Sequence, residues 1–322
     1  MSTRRPLGTS DLTVSTVGVG CNAFGARIGA QQTAAVVDAA FENGIDFFDT
    51  ADVYDTGQSE QLLGQALAGR RDQAIIGTKF GMDMQGVNGD DGGRRGTAEY
   101  VRTAVEASLQ RLGTDYIDLY QLHTPDPSTP ILETLGAMSE LVIEGKVRAI
   151  GCSNLQSWQV VDADWLARTA GLESFVTAQN EYSLYNRTAE VELVPACLAL
   201  GVGILPYFPL AYGLLTGKYR RGEPAPAGTR LAVQSKRLQD ADWDRIEALE
   251  EFAASREISV LELAIGGLAA QPGVSSVIAG VTTPEQVAAN AAAARWIPDG
   301  SDLDALAEIG RPHQSYTTFA PR

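Results

Sequence analysis

Residues 117–153 read IDLYQLHTPDPSTPILETLGAMSELVIEGKVRAIGCS, and this stretch contains the pattern that decides the fold. An apolar run of strand length (117–123) is followed by a proline-rich loop, then by a segment with helical periodicity (130–145) and a second apolar run (147–153). Runs this apolar are typical of strands that are buried on both faces, as in a parallel sheet. The stretch therefore predicts a strand–helix–strand unit.

The same alternation extends along the chain. Eight apolar runs have the length of strands: TVGVG (16–20), IDFFDT (45–50), AIIGTKF (74–80), IDLYQLH (117–123), VRAIGCS (147–153), FVTAQNEY (175–182), VGILPYF (202–208) and VSSVIAG (274–280). Helical segments separate them, and the first is predicted to place an apolar stripe of Ala34, Val37, Ala40 and Phe41 on one face. Eight such units predict an α/β fold of the (β/α)8 TIM-barrel type.

The beginning of the chain and its uniform composition complete the predicted architecture. The segment RPLGTSDLTVST (5–16) predicts a β-hairpin that turns at Gly8 to Asp11 and plugs the N-terminal end of the barrel. No linker or shift in composition divides the chain. We therefore expect one domain over residues 1–322.

Composition excludes two classes of partner. The formal charge is −15 and the pI about 4.6, with acidic residues spread along the chain. Such a surface repels phosphate backbones and anionic lipid, so nucleic acid and membranes are poor partners. Three cysteines without metal-like spacing indicate reduced thiols, and no apolar stretch reaches membrane-spanning length. The sequence predicts a soluble, cytoplasmic protein without a metal site, and it leaves the oligomeric state open.

Two connections exceed the expected loop length, residues 85–97 after the third strand and 209–239 after the seventh. Both follow the C-terminal ends of their strands, where barrel enzymes keep their chemistry. They are interpreted as substrate and cofactor loops. The polar, Gly-rich composition of 85–97 fits plain mobility equally well.

Polar residues follow three neighbouring strands at the point where each apolar run ends. Asp49 ends the second strand with Tyr54 five residues on, Lys79 ends the third, and His123 ends the fourth. Taken singly, these residues fit a buried ion pair, a core tyrosine and a core histidine with a satisfied ring. The C-terminal ends of barrel strands meet at one rim, so the four together favour a catalytic site.

These four side chains suit one reaction. A lysine within hydrogen-bond reach of a tyrosine is expected to favour the phenolate and lower the pKa of the hydroxyl, while an aspartate keeps the lysine charged. A neutral histidine beside them can donate to a carbonyl oxygen. Such a device protonates an oxygen while its carbon accepts a hydride, which a nicotinamide cofactor must supply.

Seven motifs, in order and over essentially the whole chain, resemble the aldo-keto reductase family. They are GIDFFDTADVY (44–54), TKFG (78–81), SLQRLGTDYIDLYQLHTPD (108–126), VRAIGCSN (147–154), QNEYSL (179–184), PLAYGLLTGKY (209–219) and TPEQVAANAA (283–292). The resemblance implies a tetrad of Asp49, Tyr54, Lys79 and His123, with Tyr54 as general acid and His123 orienting the carbonyl. It also implies a small-molecule carbonyl substrate and NADPH as cofactor, with NAD possible.

The resemblance implies cofactor contacts as well. They are Ser153, Asn154 and Gln179 for the carboxamide, Tyr207 for stacking on the nicotinamide, Leu210, Gly213, Leu215 and Lys218 for the pyrophosphate, and Gly280, Thr282, Gln286 and Asn290 for the adenosine end. Two positions depart from the family pattern. Asp55 follows Tyr54 where relatives often have glycine, and Phe208 stands where serine is common.

The cofactor preference and the direction of the reaction stay open. The stretch VIAGVTTPEQVAANA (277–291) contains no basic residue, whereas relatives that prefer NADP commonly pair a lysine or arginine there with the 2′-phosphate. We expect dual use, with NADPH placed first. Two alternatives to a carbonyl reductase are an NAD-dependent sugar dehydrogenase of the same family and a cofactor-binding regulatory subunit, because potassium-channel β-subunits resemble this family.

Overall fold

A computed structural model describes residues 4–233 and 235–310. It begins with an antiparallel hairpin of β1 (Arg4–Pro6) and β2 (Thr13–Ser15). Eight parallel strands follow: β3 (Val17–Gly20), β4 (Phe47–Asp49), β5 (Ile75–Phe80), β6 (Ile117–Leu122), β7 (Val147–Ser153), β8 (Thr177–Gln179), β9 (Gly203–Ile204) and β10 (Val277–Gly280). Each lies within one of the predicted apolar runs.

The eight strands form one sheet in the order β10-β3-β4-β5-β6-β7-β8-β9. Backbone hydrogen bonds also join the two ends of this order: Ser275 N donates to Ile204 O (2.9 Å) and Ile278 N donates to Pro206 O (2.9 Å). The sheet therefore curls round to meet itself. The predicted (β/α)8 barrel is confirmed.

Helices lie between successive strands, and within the described residues two more follow the last strand. They are α1 (Ala30–Glu42), α2 (Gln58–Ala66), α3 (Ala98–Leu112), α4 (Ile131–Ile143), α5 (Ser157–Ala170), α6 (Leu193–Leu200), α7 (Ser235–Gln239), α8 (Trp243–Ser255), α9 (Val260–Glu262), α10 (Pro284–Ala293) and α11 (Gly300–Glu308). A π-helical turn at Leu263–Gly267 continues α9. None of the described helices is long and apolar enough to cross a membrane.

Three of the four residues in the predicted stripe of α1 contact the core. Val37 and Ala40 are buried, and the part-buried Phe41 packs against the same core cluster, whereas Ala34 is part-buried. The inward face instead includes Thr33, whose side chain is fully buried although its hydroxyl is polar. Hydrophobicity alone misplaces a stripe when a threonine contributes its methyl group to the core.

The hairpin closes the N-terminal end of the barrel, as predicted. Leu7 and Leu12 pack in one buried cluster with Phe47 and other inward side chains of the barrel strands. Gly8, at the turn, has φ +53°, and a Cβ there would collide with the carbonyl oxygen of Val176. A positive φ and a close approach to backbone together require glycine. The hairpin therefore fits into the barrel end as a plug.

Candidate active site

The ammonium group of Lys79 lies at the centre of a buried cluster at the C-terminal rim. Its Nζ donates to Asp49 Oδ2 (2.7 Å) and to the carbonyl oxygen of Thr50 (2.8 Å), and lies 3.5 Å from the hydroxyl of Tyr54. The Lys79 side chain is fully buried. Burial disfavours its charge, but Asp49 and Tyr54 outweigh that cost, so the pKa of Lys79 is raised and the ammonium stays charged.

The second oxygen of Asp49 is also occupied. Asp49 Oδ1 accepts hydrogen bonds from Gln179 Nε2 (2.8 Å) and Gln121 Nε2 (3.4 Å), so four strands meet around one carboxylate. The sequence analysis missed Gln121. It stands two residues before His123 on β6 and is paired in register with Lys79. Strand alternation places it on the same inward face, and that signal could have found it.

Tyr54 is carried by a turn and not by a strand. It begins a 3-10 turn, Tyr54–Gly57, in which Asp55 (φ 46°) and Thr56 (φ 54°) are left-handed. Burial raises the pKa of the Tyr54 hydroxyl above its ordinary value, and the nearby Lys79 ammonium opposes this only in part. The expectation of a lowered pKa was wrong for this state of the protein, because burial dominates. Tyr54 therefore carries its proton at neutral pH.

His123 is held in place by its backbone and faces the tyrosine. Its N–H donates to Phe80 O (2.8 Å), and its ring lies edge-on to the ring of Tyr54, with centroids 5.9 Å apart. Burial, assisted by the positive charge of Lys79, lowers the pKa of His123 to about 3. The imidazole is therefore neutral at pH 7. Its Nδ1 is buried and has no hydrogen-bond partner within the described part of the chain.

Next to this cluster, Asn154 connects three strand ends. Its Nδ2 donates to His123 O (3.0 Å) and to Ser153 Oγ (3.0 Å), and its Oδ1 accepts from the hydroxyl of Tyr207 (2.8 Å). Ser153 Oγ in turn donates to Gln179 O (2.9 Å). The predicted carboxamide-binding residues and the predicted stacking aromatic thus lie together at the ends of β7, β8 and the segment after β9.

The remaining predicted cofactor residues fall into two sets on neighbouring strands. The first set, Leu210, Gly213, Leu215 and Lys218, lies in the connection after β9, which forms a 3-10 turn at Ala211–Thr216. Gly213 is left-handed (φ 105°), Lys218 is exposed, and the Leu215 side chain is buried in a core cluster, so only its backbone is open to a ligand.

The second set, Gly280, Thr282, Gln286 and Asn290, runs from the end of β10 into α10. The side-chain oxygen of Gln286 accepts from Thr282 N (2.7 Å) and is close to Thr282 Oγ1 (3.2 Å). Asn290 is buried. This set lies beside the first because a parallel bridge between Tyr207 and Ile278 joins the two strand ends.

These residues fit a nicotinamide. The Asn154 side chain is exposed at the rim, where it donates to the main-chain carbonyl of His123 and accepts from the hydroxyl of the half-buried Tyr207. An amide and an aromatic face at this spacing suit a planar ring that carries a carboxamide. Among the described residues, no group of His, Cys, Asp or Glu has the arrangement of a metal site.

Comparison with known proteins agrees with this geometry. The model of the Aldo/keto reductase family matches residues 16–310. Relatives include the NADH-specific methylglyoxal reductase of Escherichia coli (strain K12), 36% identical over 94% of this chain and 97% of that one. Another is the probable voltage-gated potassium channel subunit beta of Oryza sativa subsp. japonica, 34% identical over 91% of each chain.

A solved structure matches over nearly the same range. The aldo-keto reductase AKR11C1 from Bacillus halodurans aligns with a TM-score of 0.78 and 31% identity, covering 96% of each chain. The match of the family model and the identity to these relatives both extend over most of the chain. The protein therefore belongs to the aldo/keto reductase family of nicotinamide-dependent oxidoreductases.

Proposed function

We propose that this protein reduces small aldehydes or ketones to alcohols, with Tyr54 as the proton donor. The observation that carries the proposal is the arrangement around the tyrosine. A protonated Tyr54 lies beside a charged Lys79 and a neutral His123 whose Nδ1 has no described partner. That combination suits the protonation of an oxygen on which negative charge develops.

A bound nicotinamide would supply the hydride, and the residues of this chain supply the proton and the orientation. His123, being neutral, donates a hydrogen bond to the carbonyl oxygen and fixes its direction. Tyr54 transfers its proton to that oxygen. The Lys79 ammonium stabilises the phenolate that remains, and Asp49 holds the ammonium in place at 2.7 Å. Ser153, Asn154 and Gln179 hold the carboxamide, and Tyr207 supports the ring.

We propose that the protein uses both NADPH and NADH. Thr282 and Gln286 engage each other, and the first turn of α10 carries the exposed acid Glu285 and no base. Hydroxyls, an amide and a helix N-terminus can bind a phosphate, but more weakly than an arginine does. The E. coli relative is named NADH-specific, which supports the use of NADH here.

The substrate proposed is a small carbonyl compound, and the alternatives are tested by the same assay. One relative is named a methylglyoxal reductase, so short aldehydes are the first substrates to assay. Because other relatives are named potassium channel subunits, a regulatory role is the second candidate function.

We further propose that residues 1–322 act as one domain. The three buried free cysteines support a reducing, cytoplasmic setting.

The test is a steady-state assay of the purified chain with a panel of short aldehydes, ketones and aldoses, using NADPH, NADH and their oxidised forms. Turnover of aldehydes with either reduced cofactor would support the proposal. Oxidation of sugars with NAD alone would point to the dehydrogenase. Tight cofactor binding with no turnover across the panel would favour the regulatory subunit.

A further inference from the structure

The turn that carries Tyr54 begins on a buried acid that the proposed chemistry does not use. Asp52 is fully buried two residues before Tyr54, and its backbone N–H donates to Lys79 O (3.1 Å). Tyr54 N donates to Ala51 O (3.2 Å), which closes the turn. Any movement of Asp52 is therefore transmitted to the tyrosine through Val53, the one residue between them in a tight backbone turn.

Asp52 belongs to a buried polar cluster on the outer side of the barrel. Glu60 accepts from Thr78 Oγ1 (2.6 Å) and from Arg111 Nε (2.6 Å). Arg111 Nη1 donates to Asn88 Oδ1 (2.9 Å), and Asn88 Nδ2 donates to Asp52 Oδ2 (3.3 Å). The chain of contacts runs from α2 and α3 through the loop after β5 to the turn. We call Asp52, Glu60, Asn88 and Arg111 the turn cluster.

Charge is unequally distributed in the turn cluster. The guanidinium of Arg111 is bonded to Glu60, so the donors that act on the Asp52 carboxyl group are neutral amides, the side chain of Asn88 and the backbone N–H of Val53. Asp52 Oδ1 is buried with no hydrogen-bond partner in the part of the chain that the structure describes. A buried carboxylate without a counter-charge is unfavourable, so the proton stays on Asp52 until the solution is alkaline.

Four titratable groups from three elements of the described chain face Asp52, and the two nearest charges among them oppose each other: Glu60 raises the pKa of Asp52 and Arg111 lowers it. The four groups are Glu60 from α2, Arg111 and Tyr100 from α3, and Tyr120 from β6. Burial, followed by the negative charge of Glu60, raises the pKa of Asp52 to about 8, and Arg111 and Asn88 oppose the shift only in part.

We propose that Asp52 is a positioning residue for Tyr54. Asn88, which donates to Asp52, then connects the loop over residues 81–97 to the proton donor. The proposal rests on the proposed role of Tyr54. While Asp52 is neutral, the turn stays packed against the turn cluster. When Asp52 is ionised, its carboxylate is repelled by the carboxylate of Glu60. This repulsion moves the turn away from the turn cluster and displaces the hydroxyl of Tyr54.

The main experiment compares Asp52→Asn with the wild type, because asparagine keeps the shape and cannot ionise. We measure kcat of the full chain with saturating NADPH and a short aldehyde between pH 6 and pH 9.5. Wild-type kcat should fall about tenfold from pH 7 to pH 9 as Asp52 loses its proton, whereas kcat of Asp52→Asn should stay nearly constant over this range.

Asn88→Ala tests the link from the loop. It should lower kcat about tenfold or more and leave the Kd for NADPH within about twofold of wild type, because misplacement of the proton donor affects the chemical step and not cofactor binding.

Thermal unfolding gives a second readout. The folded protein keeps a proton on Asp52 up to about pH 8, whereas the unfolded chain releases it near the ordinary carboxyl pKa. Asp52 therefore contributes less stability as the pH rises through this window, and Tm of Asp52→Asn relative to wild type should rise from pH 5 to pH 8.

Asp118→Asn is the matched control. Asp118 is an equally buried acid on β6, but it is paired with Arg71 and Arg148 near the start of the strand, away from the rim. This variant should have a lower Tm and a pH profile of kcat with the same shape as that of wild type.

The proposal would be overturned if kcat of Asp52→Asn fell at alkaline pH as much as kcat of the wild type does. Near-normal turnover by Tyr54→Phe would instead overturn the proposed role of Tyr54, so the two failures are distinguishable.

Discussion

The ring of His123 lies edge-on to the ring of Tyr54, with centroids 5.9 Å apart and planes at 82°. His123 reaches this position from a strand end, whereas Tyr54 reaches it from a turn with two left-handed residues after it. We propose that a substrate carbonyl binds beside this pair, and the predictions below test that assignment.

The first prediction concerns the proton donor. Tyr54→Phe removes the hydroxyl and keeps the ring that packs beside Lys79 and His123. Loss of a general acid typically costs about 10² to 10⁴-fold, so kcat should fall by that range while the Kd for NADPH barely changes. Stopped-flow turnover and fluorescence titration of the cofactor measure the two. A Tyr54→Phe enzyme with near-wild-type turnover on a small aldehyde would rule the role out.

The second prediction addresses the buried ion pair. Asp49→Asn leaves the fully buried Lys79 ammonium without its counter-charge, and breaking such a pair costs about 3–5 kcal/mol of unfolding free energy. Denaturant unfolding of Asp49→Asn, Lys79→Met and the double variant measures the coupling. The double variant should be more stable than Asp49→Asn alone, although inactive. If the double variant and Asp49→Asn were equally stable, the unpaired charge on Lys79 would not lower the free energy of unfolding.

The third prediction separates a site histidine from a core histidine. His123→Gln keeps a donor of similar reach, so Tm at pH 7 should change little while kcat/KM drops by more than about tenfold. Unfolding of the protein by this substitution, with full activity in the fraction that stays folded, would show instead that the ring is a core element.

The same variant should change the response to acid. The unfolded chain binds a proton at a histidine below its ordinary pKa of about 6.5, whereas folded His123 does so only near pH 3. Its contribution to stability is therefore complete above pH 6.5 and is lost as the pH falls toward 3. Wild-type Tm should decline more steeply than His123→Gln Tm between pH 6.5 and pH 4. Parallel curves would contradict a buried neutral imidazole.

The fourth prediction concerns cofactor preference. Gln286→Arg supplies the basic group that residues 277–291 lack, and a charge-assisted hydrogen bond contributes about 1.5–3 kcal/mol, so preference should shift toward NADPH by about tenfold or more. The wild type should prefer neither cofactor by more than about a hundredfold. Kd values for NADPH and NADH on both proteins check this, with Gln110→Arg, at an exposed position on α3, as the control. A thousandfold NADPH preference in the wild type would mean that a basic side chain outside residues 277–291 binds the 2′-phosphate. The exposed Lys218 would then be the first candidate.

The parts of the site that lie on strands were predictable, and the parts that depend on burial were not. Asp49, Lys79 and His123 each end or follow an apolar run, and a barrel brings such positions to one rim. The direction of the pKa shift of Tyr54 was missed, because it depends on how deeply a turn residue is enclosed.

The turn cluster was missed for a different reason. Its four members come from the turn after β4, from α2, from the loop after β5 and from α3, and each reads alone as an ordinary surface charge or loop amide. No periodicity connects segments that meet only through the packing of helices on the barrel. Pairings of this kind are found from coordinates and not from pattern.

The plugged barrel has a consequence for redesign. The hairpin seals one end with Leu7 and Leu12, and the strands hold Asp49 and Lys79 at the other. Apart from the turn that carries Tyr54, the connections at the rim can therefore be exchanged for those of relatives to change the carbonyl compound that we propose as substrate, while the acid–base groups keep their geometry. A second exception is the loop over 81–97, because by the proposal above a graft without an amide at position 88 would alter the position of Tyr54 together with the specificity.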